Sequence, residues 1–124
     1  MEKKILVVDD SRFIFEEMKY KLGDCEKYQI SYYCPDGESV IDTYEKHQPD
    51  LVTIDIVMSG MDGIEATKRL METHPEARVI VVSSLVFDDT IDDAKNAGAI
   101  GFLPKPFERD QLISCFDEAF HKRP

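Results

Sequence analysis

The chain has 124 residues, 43% of them apolar, which suits one domain with a full hydrophobic core. Its 25 acidic against 15 basic residues give a formal net charge of −10, and such a surface repels nucleic acid phosphates. No run of about 18 apolar residues occurs, so no membrane-spanning helix is expected.

Met1-Glu2-Lys3-Lys4 leads directly into Ile5-Leu6-Val7-Val8, an apolar run of the kind that forms a buried strand, with no signal-peptide apolar region before it. The run stops at Asp9-Asp10, and Ser11 is a helix N-cap candidate. Ile14, Met18 and Leu22 then recur on one helical face, with Gly23 at the C-terminal end. Tyr28 to Tyr32 alternates apolar with polar residues, the pattern of a half-exposed edge strand. Pro35-Asp36-Gly37 signals a turn. Val40, Ile41 and Tyr44 mark a second helix, ended near Gln48-Pro49.

Leu51 to Ile54 is a third strand, and it runs into Asp55. A loop follows from Ile56 to Gly63, with Asp62-Gly63 as a turn before the next helix. Ile64, Thr67, Leu70 and Met71 give that third helix, closed by His74-Pro75. Val79 to Val82 is a fourth strand ending on Ser83-Ser84. Asp88 to Ala97 is a weaker helix whose apolar face is only Ile91, Ala94 and Ala97, with Gly98 after it. Gly101 to Leu103 is a short fifth strand ended by Pro104. Leu112, Phe116 and Phe120 make the last helix.

Five alternations of strand and helix predict an α/β fold, a doubly wound five-stranded parallel sheet with right-handed crossovers. The alternating second strand suits an edge and the apolar runs suit the interior, which an order of 2-1-3-4-5 satisfies. No repeat, low-complexity tract or linker divides the chain, so a single domain over 1–124 is expected. Cys25, Cys34 and Cys115 form no CxxC pair and fit a reducing, cytoplasmic compartment. The scattered His47, His74 and His121 suggest no zinc site.

In open α/β sheets, ligands sit beyond the carboxyl ends of the strands. In this order the polar residues fall at those ends: Asp9 and Asp10, Asp55, Ser83 and Lys105. A bare carboxylate ending an apolar strand is costly unless paired, hydrated or bound to a metal. Three carboxylates together repel one another, which a hard divalent ion such as Mg²⁺ relieves. Lys105 adds a point charge that can hold a phosphoryl oxygen, and Ser83 a hydroxyl that can donate to the same group. Metal, cation, hydroxyl and nucleophile are the recurring parts of phosphoryl transfer. Asp55 is the nucleophile this set implies, forming an aspartyl-phosphate. Taken singly, each part has a blander reading: a helix-start acid pair, a solvated loop acid, a surface lysine, an N-cap serine.

The segments ILVVDD, DLVTIDIVMSGMDG, VIVVSS and GFLPKPF, in this order over nearly the whole chain, resemble the bacterial two-component response-regulator receiver domain, of the stand-alone chemotaxis (CheY-like) type. The interval from Ser83 to Lys105 also matches the family spacing. The resemblance implies that Asp55 is the phosphoacceptor, that Asp10 and the backbone carbonyl of Val57 bind Mg²⁺ directly, and that Asp9 acts through water. Mn²⁺ could substitute. Lys105 would bind the phosphoryl group, Ser83 would sense it, and Phe102 would turn inward when Ser83 moves. A cis peptide is implied at Lys105-Pro106.

The implied donor is a sensor histidine kinase. The implied responsive surface is the fourth helix, fifth strand and fifth helix of a monomer. Its output partner would be a flagellar motor protein or a phosphatase. Such a protein catalyses only its own phosphorylation and slow dephosphorylation. The family commonly has Pro where Ser59 stands, Ala where Ser84 stands and Tyr where Phe102 stands. Its two rim positions are Val57 and Leu85 here, and neither side chain can hold a hydrolytic water, so a long-lived phosphorylated state is expected.

A receiver piece of a larger regulator, or a phosphorelay intermediate, remains open. A haloacid-dehalogenase-type phosphatase would need a DxD pattern after the first strand, where Asp9-Asp10-Ser11 stands. A flavodoxin-like flavin binder would need a phosphate cradle there, which two carboxylates oppose. A module kept only for protein interaction has no need of the full acid, hydroxyl and lysine set.

Overall fold

The structure is a computed structural model and describes residues 2–122. Strands and helices alternate along the chain: β1 (Lys3–Val8), α1 (Arg12–Leu22), β2 (Tyr28–Cys34), α2 (Val40–His47), β3 (Leu51–Asp55), α3 (Gly63–Thr73), β4 (Val79–Ser83), α4 (Asp88–Asn96), β5 (Gly101–Pro104) and α5 (Arg109–His121). The strands form one parallel sheet in the order β2-β1-β3-β4-β5, as the sequence pattern predicts.

The continuous apolar runs occupy the interior. Ile5 to Val8, Leu51 to Ile54 and Val79 to Val82 are all buried, because helices cover both faces of the sheet. One face packs Ile5, Val7, Leu51, Ile80, Val82 and Leu103 against α1 and α5. The other packs Leu6, Val8, Val52, Ile54 and Val79 against α2 and α3. Neighbours along a strand alternate between these layers, as a two-residue side-chain period requires. β2 pairs only with β1 and keeps its alternation. Its register slips where Ile5 faces Ile30 and Leu6 faces Tyr32, leaving Ser31 as an extra residue in the edge.

The helix faces differ from their expected centres: in α2 only Val40 is buried, with Ile41 and Tyr44 half-buried, and in α3 Ala66, Thr67 and Leu70 are buried while Ile64 and Met71 are half-buried. In α1 the buried residues are Phe15, Met18 and Leu22, and Ile14 is only half-buried. In α5 they are Leu112, Phe116 and Ala119, while Phe120 lies half-buried with its ring stacked on Tyr28 at 5.9 Å. A helix face is about a third of the circumference wide, so flanking residues are half-covered and only the centre is fixed by the sheet. In α4 only Ala94 is buried; it joins Ile56 and Val81 in the smallest of the apolar clusters. Ile91 and Ala97 are half-buried, so this helix is held by a thin contact. Among the described residues, no helix is long and apolar enough to cross a membrane.

Candidate functional site

The pairing register sets the strand ends level. Val8 lies opposite Ile54, Asp55 opposite Val82, and Ser83 opposite Pro104. Asp9, Asp55, Ser83 and Lys105 therefore arrive at one end of the sheet from four strands. Lys105 follows β5 directly: its N–H donates to the carbonyl of Ser83 at 2.9 Å, and the peptide to Pro106 is cis.

Carboxylate oxygens of Asp9, Asp10 and Asp55 lie within 4.8 Å of one another. Asp9 and Asp55 are buried, at 3% and 8% exposure, and Asp10 is exposed. Among the described residues, one cation serves the group. Lys105 Nζ donates to Asp55 Oδ1 at 2.9 Å and stands 3.5 Å from Asp9 Oδ2, close enough for an ion pair but not a hydrogen bond. Asp9 Oδ1 accepts from the Ser11 N–H at 2.9 Å, whereas its Oδ2 is buried without a hydrogen-bond partner. Leaving such an atom unsatisfied costs about 1–3 kcal/mol, more for a charged group.

Burial pushes the Asp9 carboxyl above its ordinary range, and the Ser11 and Lys105 contacts only partly offset it. Burial raises Asp55 too, against the hydrogen bond from Lys105, with Asp9 and Asp10 adding repulsion. A buried, partnerless oxygen among three carboxylates with a single ammonium fits a hard divalent cation such as Mg²⁺. The donors are all oxygen, which disfavours zinc or a softer metal.

Ser83 ends β4 and is buried, but its hydroxyl accepts from the Leu85 N–H at 2.9 Å and so serves the local turn. Val57, in the loop after β3, is 62% exposed, and Leu85 is 38% exposed. Phe102 in β5 is half-buried against the cluster of Ile56, Val81 and Ala94 beneath α4.

The structure also places residues that sequence reasoning did not assign to the site. The Tyr33 hydroxyl donates to the Asp9 carbonyl at 2.7 Å, and the Arg12 guanidinium lies over the Tyr33 ring. Ser59 donates to Asp10 Oδ2 from its N–H at 3.0 Å and from its hydroxyl at 3.4 Å. Gly63 begins α3 so close to β3 that a Cβ there would stand 2.1 Å from the Asp55 carbonyl oxygen, and only glycine fits. Its N–H donates to Ile56 at 2.9 Å, and Asp62 caps the helix through the Glu65 N–H. The Asp62-Gly63 turn thus sets the loop that carries Val57 and Ser59.

With this geometry in place, the comparisons with known proteins agree with it. The response regulator receiver domain family matches residues 5–117. The chemotaxis protein CheY of Bacillus subtilis (strain 168) is 32% identical over 124 residues, covering 98% of this chain and all of the relative. CheY of Thermotoga maritima is 31% identical, covering 95% of this chain and 98% of its own. Among solved structures, the CheX–CheY–BeF3–Mg²⁺ complex from Borrelia burgdorferi contains a chain 33% identical to this one. It superposes with a TM-score of 0.88 and covers 97% of this chain and 90% of that chain. The response regulator domain of Thermotoga maritima CheB is 29% identical with a TM-score of 0.90, each chain fully covered.

Proposed function

Because the chain belongs to the response regulator receiver domain family, we propose that it is a phosphorylation-activated signalling switch whose phosphoacceptor is Asp55. The observation that carries this reading is the Asp55 carboxylate held by Lys105 beside Asp9, whose buried Oδ2 has no hydrogen-bond partner among the described residues. An Asp55 oxygen attacks the phosphorus of a phosphohistidine on a sensor kinase. The O–P bond forms as the P–N bond breaks, and the imidazole leaves with the electron pair. Lys105 then holds an oxygen of the transferred group.

Mg²⁺, or Mn²⁺ in its place, would be held by Asp10, Asp55 and the Val57 carbonyl, with Asp9 through water, and would neutralise charge on the transferring group. The Ser83 hydroxyl exchanges its bond from Leu85 for one to the phosphoryl group, and Phe102 follows it inward. The thin attachment of α4 supports a responsive surface made of α4, β5 and α5, since a weakly held element is easily shifted.

Relatives named as chemotaxis proteins support an output in motility, through a flagellar motor protein or a phosphatase. The Borrelia relative, seen in a complex with CheX, is a precedent for a protein partner. The reading takes the chain as one receiver unit over 1–124, monomeric and cytoplasmic; its three free thiols are in keeping with that compartment. Acetyl phosphate with Mg²⁺ is expected to label the protein once, in a hydroxylamine-sensitive bond that Asp55→Asn abolishes. Undiminished label in that variant would sink the assignment.

A further inference from the structure

The irregularity in β2 lies two residues before Tyr33. Tyr28 and Ile30 pack in the apolar layer beneath α1 and α5. With a strict two-residue period, Tyr32 and Cys34 would follow them there and Tyr33 would face the other layer. Ser31 is instead an extra residue in the pairing with β1, and the alternation inverts after it. Tyr32 and Cys34 join the layer under α2 and α3, while Tyr33, level with Val7, joins the layer under α1. Its ring packs edge-on against Phe15 with centroids 5.6 Å apart, and the Arg12 guanidinium lies over it at 5.3 Å. From there its hydroxyl reaches the Asp9 carbonyl at 2.7 Å. The end of β2 thus holds both backbone groups of Asp9, because the Asp9 N–H donates to the Cys34 carbonyl at 3.1 Å. The Ser11 N–H holds Oδ1, and among the described residues only the buried Oδ2 is left without a hydrogen-bond partner. Cys34 and Ser11 contribute backbone groups, which almost any residue supplies; the Tyr33 hydroxyl is the one hold that needs a particular side chain.

We propose that Tyr33 is a positioning residue for the cation site, turned toward it by the bulge at Ser31: its hydroxyl fixes the peptide between Asp9 and Asp10, and with it the directions in which both carboxylates leave the turn. The proposal rests on the reading of Asp9, Asp10 and Asp55 as a Mg²⁺ site. A turn free to sample several backbone conformations would have to give up that freedom when an ion binds. Holding the peptide beforehand removes that cost, as groups behind metal ligands generally do. The bond also gives the bulge a purpose, since bulges beside functional sites re-aim a side chain. The hydroxyl tunes the site rather than forming it: Tyr33 touches no carboxylate oxygen, and its effect is a factor in affinity, not the presence of binding.

The test is calorimetric titration of Mg²⁺ into the full chain carrying Tyr33→Phe or Tyr28→Phe, alongside wild type. Tyr33→Phe keeps the ring against Phe15 and Arg12 and removes only the hydroxyl. It is expected to raise the Mg²⁺ Kd about fivefold, short of the tenfold or more typical of losing a direct partner of a metal ligand. Tyr28→Phe removes a hydroxyl bonded to Asp117 at the other end of the sheet, and is expected to stay within about twofold of wild type. A Tyr33→Phe protein that binds Mg²⁺ as wild type does overturns the proposal and leaves the cation site standing. So does a Tyr28→Phe protein weakened as much as Tyr33→Phe, because a general loss of stability would then account for both. A wild type with no saturable Mg²⁺ binding brings down the cation site itself and the positioning role with it. A measurement on wild type needs no substitution: the Tyr33 hydroxyl proton should stay in slow exchange with water at saturating Mg²⁺. A hydroxyl released as the ion binds overturns the proposal.

Discussion

Asp117 and Asp9 are carboxylates at opposite ends of the same parallel sheet, and their acidities move in opposite directions. Asp117, on α5 beside the start of β2, accepts from Lys27 Nζ at 2.8 Å and from the Tyr28 hydroxyl. The Lys27 and Tyr28 bonds hold it below the ordinary carboxylate range, while burial beside that carboxylate pushes the Tyr28 phenol upward. Other acids at this end are answered in the same way. Asp50 accepts from the Lys4 N–H at 2.7 Å, and His74 stands between Glu45 and Glu76 at 2.9 and 3.2 Å. At the carboxyl end Asp9 and Asp55 are raised by burial, and among the described residues Lys105 is the one cation paired with them. The protein's own groups complete the amino end. The carboxyl end is left short of positive charge, in keeping with a site that takes both a cation and a phosphoryl group.

The largest expected effect comes from supplying that charge. At a hundredfold excess over its Kd, Mg²⁺ should stabilise the fold by about 2.7 kcal/mol. For a domain of this size that raises the melting temperature by several degrees. Asp10→Ala should shrink the shift, and Asp117→Ala should leave it intact. An equal shift in wild type and Asp10→Ala would break the contrast between the two ends.

A smaller effect concerns the rim. Val57 and Leu85 are exposed apolar residues where a polar side chain could orient a water behind the phosphorus. Val57→Asn with Leu85→Glu should shorten the aspartyl-phosphate lifetime about tenfold, or about 1.4 kcal/mol in the barrier. An unchanged or slower decay in the double variant would refute the rim argument without touching Asp55.

The strand ends were legible because a parallel sheet writes its interior as uninterrupted apolar runs and stops them at polar residues. Asp9, Asp55, Ser83 and Lys105 could be read that way. The helix faces were legible only to within a residue: Phe15 took the place expected of Ile14, and Ala119 that of Phe120. Residues at the edge of an apolar stripe and at its centre have the same composition and differ only in what the sheet covers. Tyr33 was not assigned to the site, and Ser59 was read only as a departure from the family's Pro, not as a partner of Asp10. The N–H of Ser59 is common to every residue except proline and leaves no pattern, and Tyr33 reaches Asp9 only because β2 runs on to Cys34, past its expected end. Gly63 could be read as a turn, but not as the residue that lets α3 begin against the carbonyl of Asp55.

Breaking the amino end should cost stability and spare the chemistry. Asp117→Ala removes bonds from Lys27 and Tyr28, but its side chain is 37% exposed and the Lys27 pair is screened. A loss of about 1 kcal/mol is expected in urea unfolding. Asp117 is lowered, so its contribution is present above its ordinary value of 3.8 and is lost as the pH falls through the folded value. A changed Mg²⁺ Kd in this variant would show that the two ends are coupled.

The smallest effect belongs to His74, which joins the end of α3 to the last turn of α2. Its ring packs against Tyr44 with centroids 4.9 Å apart, and its two nitrogens face Glu45 and Glu76. The hydrogen bond to Glu45 is the main cause that raises its pKa, opposed by desolvation and supported by Glu76. A histidine raised on folding stabilises the folded state fully below its unfolded value, near 6.5, and that contribution disappears as the pH rises through the folded value. His74→Gln keeps a polar side chain and cannot take up the proton. The melting-temperature gap between wild type and this variant should therefore be widest near about pH 5.5 and close toward about pH 8.5. Glu45→Gln should remove most of that dependence. The gap should also be the same with and without Mg²⁺, because the ion acts on carboxylates at the other end of the sheet. A gap that widens with rising pH would reverse the assigned charge pair. A gap that follows Mg²⁺ would mean that α2 and α3 transmit between the two ends.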